Sequence, residues 1–392
     1  MTTDKPNLPS PKLSFWERNL FGMTISELPG LLPGLVVVVA LAWSSIGLSK
    51  YLGVNLLGFE KSPISPVMLA LLLGLIIGAI VSIPTTFTPG IRFSVKKILR
   101  FGIILLGIRL TIFDVFKLGA MGVPIVMICI LGALFITTTI SKRLQLPERL
   151  GTLIAVGTSI CGVSAILATG PAIDADEKES AYAVAVITVF GLLATLFYPY
   201  IVNAVFAGDA VRAGLFLGTS VHDTSQVVGS ASVYADVFGQ SLALDVATVT
   251  KLVRNVFMAL VIPFMAFYYG RRTSAQASGE SKKTNILKLF PLFILGFLTF
   301  AALRSIGDAS INLGNSAFGL WTENSWTSLI STVKTWAGNF LVVALAGVGL
   351  STNFQSFKGL GFKPFFVGLI SALAVGGVSF IAITLLGSYV SF

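Results

Sequence analysis

The chain has 392 residues, of which 55% are hydrophobic and only 11% are charged, and its formal net charge is +10. Because soluble domains carry about 25% charged residues, this composition excludes an ordinary soluble protein and predicts a membrane protein. An excess of Lys and Arg is typical of cytoplasmic loops in such proteins, so the charge does not indicate a nucleic-acid partner. Cys129 and Cys161 lie in separate apolar segments and predict neither a disulfide nor a metal site.

The first predicted element is a polar, cytoplasmic N-terminal segment at residues 1–30, and a transmembrane domain over residues 31–392 follows it. A helix needs about 20 apolar residues to cross a bilayer. Eleven segments fit this length, near residues 31–50, 66–84, 95–114, 122–141, 150–170, 180–206, 212–232, 243–269, 286–304, 328–351 and 364–388. The clearest of them lack the polar face of a helix on a soluble core. The predicted fold class is an all-α polytopic membrane protein with about eleven transmembrane helices.

The loops between these spans divide into a basic set and an acidic set. Lys and Arg collect at 92–100, at 142–149 and in the loop at 270–285, whereas the loop at 174–180 is mostly acidic. Alternation of the spans places the N-terminal segment on the basic side. The positive-inside rule therefore predicts a cytoplasmic N-terminus and an external C-terminus. Lys50 and Lys61 are the main exceptions.

Two polar stretches interrupt the predicted spans, "GTSICGVSA" at 157–165 and "GTSVHDTSQ" at 218–226. Glycine and hydroxyl residues inside a span favour a helix that breaks where it lines a cavity, since the freed backbone groups can then face ions. The alternative is that small residues only permit close helix packing. The predicted substrate-binding side chains of these stretches are Thr158, Ser159, Cys161, Gly162, Ser164, Thr219, Ser220, Thr224, Ser225 and Gln226.

The second stretch also contains the only histidine of the chain, His222, next to Asp223. Such a pair costs several kcal/mol inside a membrane unless it faces water or a partner. Histidine has an unperturbed pKa of about 6.5, so the pair is predicted to carry a coupling proton. The alternative is a hydrogen-bonded structural histidine.

A third candidate is "TKLVRN" at 250–255, in which Lys251 and Arg254 share one helix face. The span continues for about 15 residues beyond Arg254, which is roughly 22 Å of helix, so this side chain is predicted to lie deep in the bilayer. An ammonium and a guanidinium facing a cavity fit a doubly charged tetrahedral anion. The alternative is that both cations pair with the carboxylates of Asp223, Asp236 or Asp245.

Two internal similarities indicate repeats. The two polar stretches resemble each other, and "GIRLTIFDVFKLGAMGVP" at 107–124 resembles "GVGLSTNFQSFKGLGFKP" at 347–364. In the predicted topology the spans of the second pair run in opposite directions, as an inverted repeat of a transporter requires. The two similarities imply different repeat registers.

At "GTSICGVSAI", "VFGLLATLFYP", "GTSVHDTSQVV" and "KLVRN" the chain resembles the YeiH-type sulfate exporter family of bacterial inner-membrane proteins. The resemblance implies a secondary transporter related to the bile acid/arsenite/riboflavin transporter superfamily, with 5+5 inverted repeats and crossed broken helices. Applied to this chain, it implies repeats at about 66–206 and 212–388. The break at 161–164 would lie on the fourth helix of its repeat, as in the superfamily, but the histidine stretch would lie on a first helix.

These observations predict a secondary active transporter of a small anion, sulfate or a related sulfonate, coupled to H⁺ or Na⁺. They predict no cofactor and no enzymatic activity, and they leave a homo-oligomer open. One alternative is an anion channel. Another is an intramembrane enzyme in which Cys161 is the nucleophile and His222 the base.

Overall fold

The computed structural model describes residues 25–59, 62, 64–273, 291–352 and 362–390. In these ranges the regular structure is helical apart from one isolated bridge, between Ala317 and Trp321. The α-helices are α1 (Leu32–Lys50), α2 (Pro66–Ile80), α3 (Thr88–Phe93), α4 (Leu99–Leu106), α5 (Ile112–Arg143), α6 (Glu148–Ser159), α7 (Val163–Thr169), α8 (Glu177–Phe206), α9 (Ala210–Ser220), α10 (Thr224–Phe238), α11 (Ser241–Val256), α12 (Met258–Thr273), α13 (Phe293–Asn312), α14 (Glu323–Ser351) and α15 (Phe362–Leu386).

Seven helical stretches of the described chain are long and apolar enough to cross a membrane: Glu27–Leu56, Ile112–Arg143, Glu177–Phe206, Ser241–Met265, Phe293–Asn312, Glu323–Ser351 and Phe362–Tyr389. Two shorter apolar helices, Pro66–Ile80 and Val163–Ala172, accompany them. Large apolar side chains such as Phe135, Leu260 and Phe264 are exposed on the outside of the bundle, as lipid-facing side chains are. The predicted all-α polytopic membrane fold is therefore confirmed.

Capping boxes fix the start of several helices. The Thr111 side chain accepts from the Asp114 backbone N–H, and the Asp114 carboxylate accepts from the Thr111 backbone. This pair begins α5 about ten residues before the predicted span at 122–141, so that boundary was wrong. Asp176 and Glu179 begin α8 in the same way, so part of the acidic character of the 174–180 loop has a local helix-capping role.

Close helix packing places α11 beside α9. A Cβ atom on Gly214 would lie 2.7 Å from the Ala243 carbonyl oxygen, and one on Gly218 would lie 2.7 Å from the Thr250 Cβ. Glycine is required at both positions because real Cβ atoms do not approach so closely. The contact presses the Lys251 end of α11 against the C-terminal end of α9.

Several predictions fall outside the described residues. They concern residues 1–24 of the N-terminal segment, most of the basic loop at 270–285 and half of the second copy of the 107–124 similarity. The repeat boundaries stay a prediction. In the second predicted repeat the fourth helix, α14, runs unbroken from Glu323 to Ser351, and the interruption lies in its first helix, between α9 and α10.

Candidate functional site

Two membrane helices break at the predicted stretches. The first is interrupted between Ser159 and Val163, where Gly162 has φ 64° and ψ −123°, a conformation that only glycine adopts readily. The second is interrupted between Ser220 and Thr224. A Cβ atom on Gly162 would lie 3.3 Å from the Asp223 Cα. The two breaks therefore meet, and we call residues 158–164 and 219–226 together the crossing.

The Arg254 guanidinium is bonded to backbone carbonyls of both breaks. Its Nε donates to the Ser159 oxygen at 2.7 Å, and its Nη1 donates to the Thr219 and Val221 oxygens at 2.7 and 3.0 Å. Its Nη2 donates to the Thr158 oxygen. The last carbonyls of a helix have no partner within the helix, so this buried cation satisfies the C-terminal ends of α6 and α9.

Lys251 has the same role one helical turn away. Its Nζ donates to the Ile160 oxygen at 2.8 Å, to the Val221 oxygen at 3.2 Å and to the His222 oxygen. An ammonium has three N–H groups and a guanidinium has five. Lys251 therefore has no donor left for an anion in this conformation, and Arg254 has one.

The predicted alternative, pairing of these cations with carboxylates, is not what the described residues show. Asp245 forms its ion pair with Arg109, and an Asp236 carboxylate oxygen accepts from the Ser65 hydroxyl at 2.7 Å. The cations instead hold the backbone, so they act on a substrate through their charge and through the shape of the breaks.

The hydroxyl groups at the ends of α6 and α9 are also committed to the backbone. Thr219 and Ser220 donate to the Leu215 and Phe216 oxygens at 2.7 and 2.6 Å. Thr158 and Ser159 donate within α6 in the same manner. All four side chains are buried. In this conformation only their oxygen lone pairs are free.

The start of α10 carries a denser polar network. One Asp223 carboxylate oxygen accepts from the Ser225 N–H at 2.8 Å and from its hydroxyl at 2.5 Å. The Gln226 amide accepts from the Asp223 N–H and donates to the Thr188 carbonyl, at 3.3 and 3.2 Å. Asp223 and Thr224 are partly exposed, unlike their buried neighbours. The crossing is therefore accessible from outside the protein at these two side chains.

Ser164 lies at a different kind of surface. It is exposed on α7, on the same helix face as the exposed Leu167. It makes no hydrogen bond through its side chain within the described residues, so its assignment to a substrate stays a prediction.

His222 is 1% exposed, and neither ring nitrogen makes a hydrogen bond of acceptable geometry within the described residues. The Thr158 backbone lies close enough to interact with the ring. Leaving a buried polar group without a partner costs about 1–3 kcal/mol, so such groups mark places for water, an ion or a ligand. The Thr158 backbone is the nearest partner for a structural histidine, so both interpretations of His222 stay predictions.

Asn255 is a polar residue of α11 beside the crossing that the sequence interpretation missed. Its Nδ2 donates to the Thr224 hydroxyl at 3.2 Å, and its Oδ1 is buried without a partner. Its position four residues after Lys251 places it on the same face of α11. That spacing was the available signal.

Cys161 does not form the pair that the enzyme alternative requires. Its Sγ is buried and contacts the Met258 Sδ at 3.5 Å, and His222 makes no hydrogen bond to it. The nucleophile-base contact is therefore missing from the described residues.

The fold and the crossing define a class, the polytopic helical membrane proteins with paired broken helices. A family model described as "Conserved hypothetical protein 698" matches residues 31–368. The chain is 32% identical over 358 residues to a UPF0324 membrane protein of Streptococcus agalactiae, covering 91% of this chain and 98% of that protein. It is 32% identical over 314 residues to one of Fusobacterium nucleatum, covering 78% and 88% of the two chains. This chain belongs to the UPF0324 family of membrane proteins, which is the YeiH-type family that its motifs resemble.

Proposed function

We propose that this protein is a secondary active transporter of a small anion, sulfate or a related sulfonate, and that the crossing is its substrate site. The observation that carries the proposal is the charge of the crossing. Two buried cations, Lys251 and Arg254, stand against one carboxylate, Asp223. The crossing also brings together two helix C-terminal and two N-terminal ends, whose opposite partial charges offset each other. One positive charge remains inside an apolar bundle.

An anion approaching this charge would meet the partly exposed side of the crossing. Thr224 and Asn255 supply polar groups there, and Asn255 has a buried oxygen without a partner. We assign Thr224, Ser225, Gln226 and Asn255 to the substrate and its waters. We assign Lys251 and Arg254 to the electric field that attracts it.

We propose H⁺ as the coupling ion, carried by His222 and Asp223. Lys251 binds the His222 carbonyl, and the charges of Arg254 and Lys251 also act on the His222 ring. A proton on this ring adds to the positive charge of the crossing, and an anion bound beside it offsets that charge. Anion and proton therefore favour each other's binding, which is a coupling free energy between two sites.

We place the protein in the bacterial inner membrane, with its N-terminus in the cytoplasm and its C-terminus outside. The support is the distribution of Lys and Arg among the predicted loops. An anion exporter in that membrane would draw its substrate from the cytoplasm.

The function is tested by reconstituting the purified protein in liposomes and applying concentration jumps of sulfate, small alkyl sulfonates, nitrate and gluconate. We expect transport currents for at least one sulfur oxyanion or sulfonate and none for gluconate. Thr224→Val removes the hydroxyl that accepts from the buried Asn255. It should weaken the response about fivefold or more, because leaving a buried polar group without its partner costs about 1–3 kcal/mol. Thr335→Val is the matched control on the exposed face of α14. Silence towards all sulfur anions would overturn the assignment.

A further inference from the structure

The buried ammonium of Lys251 occupies a place where other broken-helix transporters hold a metal cation. In such transporters the unwound carbonyls and the C-terminal ends of half-helices coordinate Na⁺. Here six carbonyl oxygens converge on the two side-chain cations, from Thr158, Ser159, Ile160, Thr219, Val221 and His222. We propose that Lys251 is a tethered cation that fills a backbone-carbonyl site for a monovalent cation, so that binding and transport by this protein are independent of Na⁺.

The three acceptors of Lys251 come from both breaks. Ile160 belongs to the first break, and Val221 and His222 belong to the second. The ammonium is compact and has three N–H donors, so it can bind these three carbonyl oxygens at the same time. It therefore joins the two broken helices through a single positive charge, as a bound metal ion would.

Arg254 has a different role from Lys251, although it lies only one turn away. Its planar guanidinium spreads over four carbonyls at the ends of α6 and α9, and no spherical ion reproduces that arrangement. Removal of Lys251 leaves Arg254 in place, so the ends of both helices remain held. The Ile160 and His222 oxygens lose their cation, and the Val221 oxygen keeps its bond to Arg254.

In the wild-type protein a second cation at these oxygens would be repelled by the ammonium that already occupies them. After truncation of Lys251 the same oxygens, with water in the vacated space, form a site of the kind that Na⁺ prefers. The proposal deepens the proposed function because it removes Na⁺ from the two candidate coupling ions.

Thermal unfolding of the purified full-length protein tests the proposal without any transport measurement. Wild-type protein and Lys251→Ala are compared in choline chloride and in NaCl at equal ionic strength. We expect no difference between the two salts for the wild type. Lys251→Ala should unfold at a lower temperature in choline and gain about 5 °C when Na⁺ is raised far above its dissociation constant, because a ligand of the folded state stabilises it by mass action. Methylammonium should restore it likewise.

Two variants control for general effects of losing a lysine. Lys251→Met fills the space with an uncharged chain, and it should be destabilised without any response to Na⁺. Lys334→Ala removes a half-buried lysine of α14 that makes no hydrogen bond within the described residues, and it should behave like the wild type in both salts.

Three results would overturn the proposal. The first is a wild-type unfolding temperature that rises with Na⁺. The second is a Lys251→Ala unfolding temperature that responds to neither Na⁺ nor methylammonium. The third is a Lys251→Ala variant that cannot be purified in folded form even when either cation is present throughout extraction. Because only stability is measured, these results are independent of whether sulfur anions are transported.

Discussion

Lys251 and Arg254 are buried in an apolar bundle without a carboxylate partner, and the backbone takes the place of that partner. Seven hydrogen bonds run from the two side chains to carbonyl oxygens of the breaks. Unsatisfied carbonyls and unpaired cations are each costly in a membrane, and here each removes the cost of the other. The same contacts explain why two helices can be interrupted in the bundle at all.

The geometry of Arg254 predicts that its charge alone is not sufficient. Arg254→Lys keeps the charge, but an ammonium has three donors and a shorter side chain than the guanidinium, which binds four carbonyl oxygens. At least one buried carbonyl therefore loses its bond to residue 254. We expect a loss of about 1–3 kcal/mol of stability, measured as a lower unfolding temperature in detergent. Arg304→Lys is the control, since Arg304 pairs at the partly exposed Asp308 at 2.5 Å and lysine can keep that pair. Equal stability of the two variants would contradict the role of the four Arg254–carbonyl hydrogen bonds.

His222 gives a prediction about pH. Glutamine retains hydrogen-bonding capacity at this buried position but cannot titrate. His222→Gln should therefore fold and bind anion, while its transport rate becomes flat over the pH range in which the wild type varies. Currents measured between pH 5 and pH 8 check this, the range in which histidine ordinarily changes charge. A wild-type profile in the variant would show that His222 does not carry the coupling proton.

At the residue scale the sequence revealed which cations would be buried but not what they bind. The spacing of Lys251 and Arg254 and the span around them were sufficient to predict depth. Their acceptors are backbone oxygens, which every residue has, so no residue type in the sequence marks them. The carboxylates of Asp223, Asp236 and Asp245 are visible in the sequence, and for that reason they were considered as partners.

The helix elements show why two breaks meet. The α9–α11 contact brings the cations to the ends of α9 and α6, and it depends on the absence of a side chain at Gly218. Gly162 provides the second close approach, to Asp223. The sequence interpretation treated these glycines as signs either of a helix break or of close helix packing. At the crossing, Gly162 permits a break and a close approach, and Gly218 permits close packing.

A substitution at Gly218 tests this contact. Gly218→Ala places a methyl group 2.7 Å from the Thr250 Cβ, so α9 must move away from α11 and the Thr219 and Val221 carbonyls must move away from Arg254. Overpacking of this kind costs about 1–3 kcal/mol, and we expect a lower unfolding temperature. Gly338→Ala is the matched control inside α14, because a Cβ there meets nothing within 4 Å. It should be neutral or stabilise by up to about 1 kcal/mol, from helix propensity.

Element boundaries were less predictable than element existence. Each of the eleven predicted segments contains helix, but α5 begins at Ile112 and the helices at the crossing end within their spans. Hydropathy detects a stretch of apolar residues but not the residue at which a helix begins. Thr111 and Asp223 set such starts, because their side chains cap the helices that follow them.

For the whole molecule the orientation is testable with introduced cysteines. Both native cysteines are buried, with Cys129 1% and Cys161 4% exposed, so background labelling by a membrane-impermeant maleimide should be low. Lys178→Cys lies on the exposed first turn of α8, and we expect it to be labelled in intact cells. Ser278→Cys, outside the described residues, should be labelled only after permeabilisation. The reverse pattern would invert the topology, and labelling of both in intact cells would contradict the number of spans between them.

The hydrogen bonds from Lys251 and Arg254 to the two breaks also have an electrical consequence for the molecule. Because Lys251 and Arg254 are bonded to both broken helices, their charge must travel with any rearrangement that turns the crossing from one face of the membrane to the other. The empty crossing then moves one positive charge, and a crossing loaded with a dianion and the coupling proton moves no net charge. A voltage that is negative inside acts on the empty form by about 2.3 kcal/mol per 100 mV when its charge passes through the whole membrane. It draws the empty form towards the cytoplasm, so the resting potential would favour export, and a voltage step without substrate should evoke a transient current.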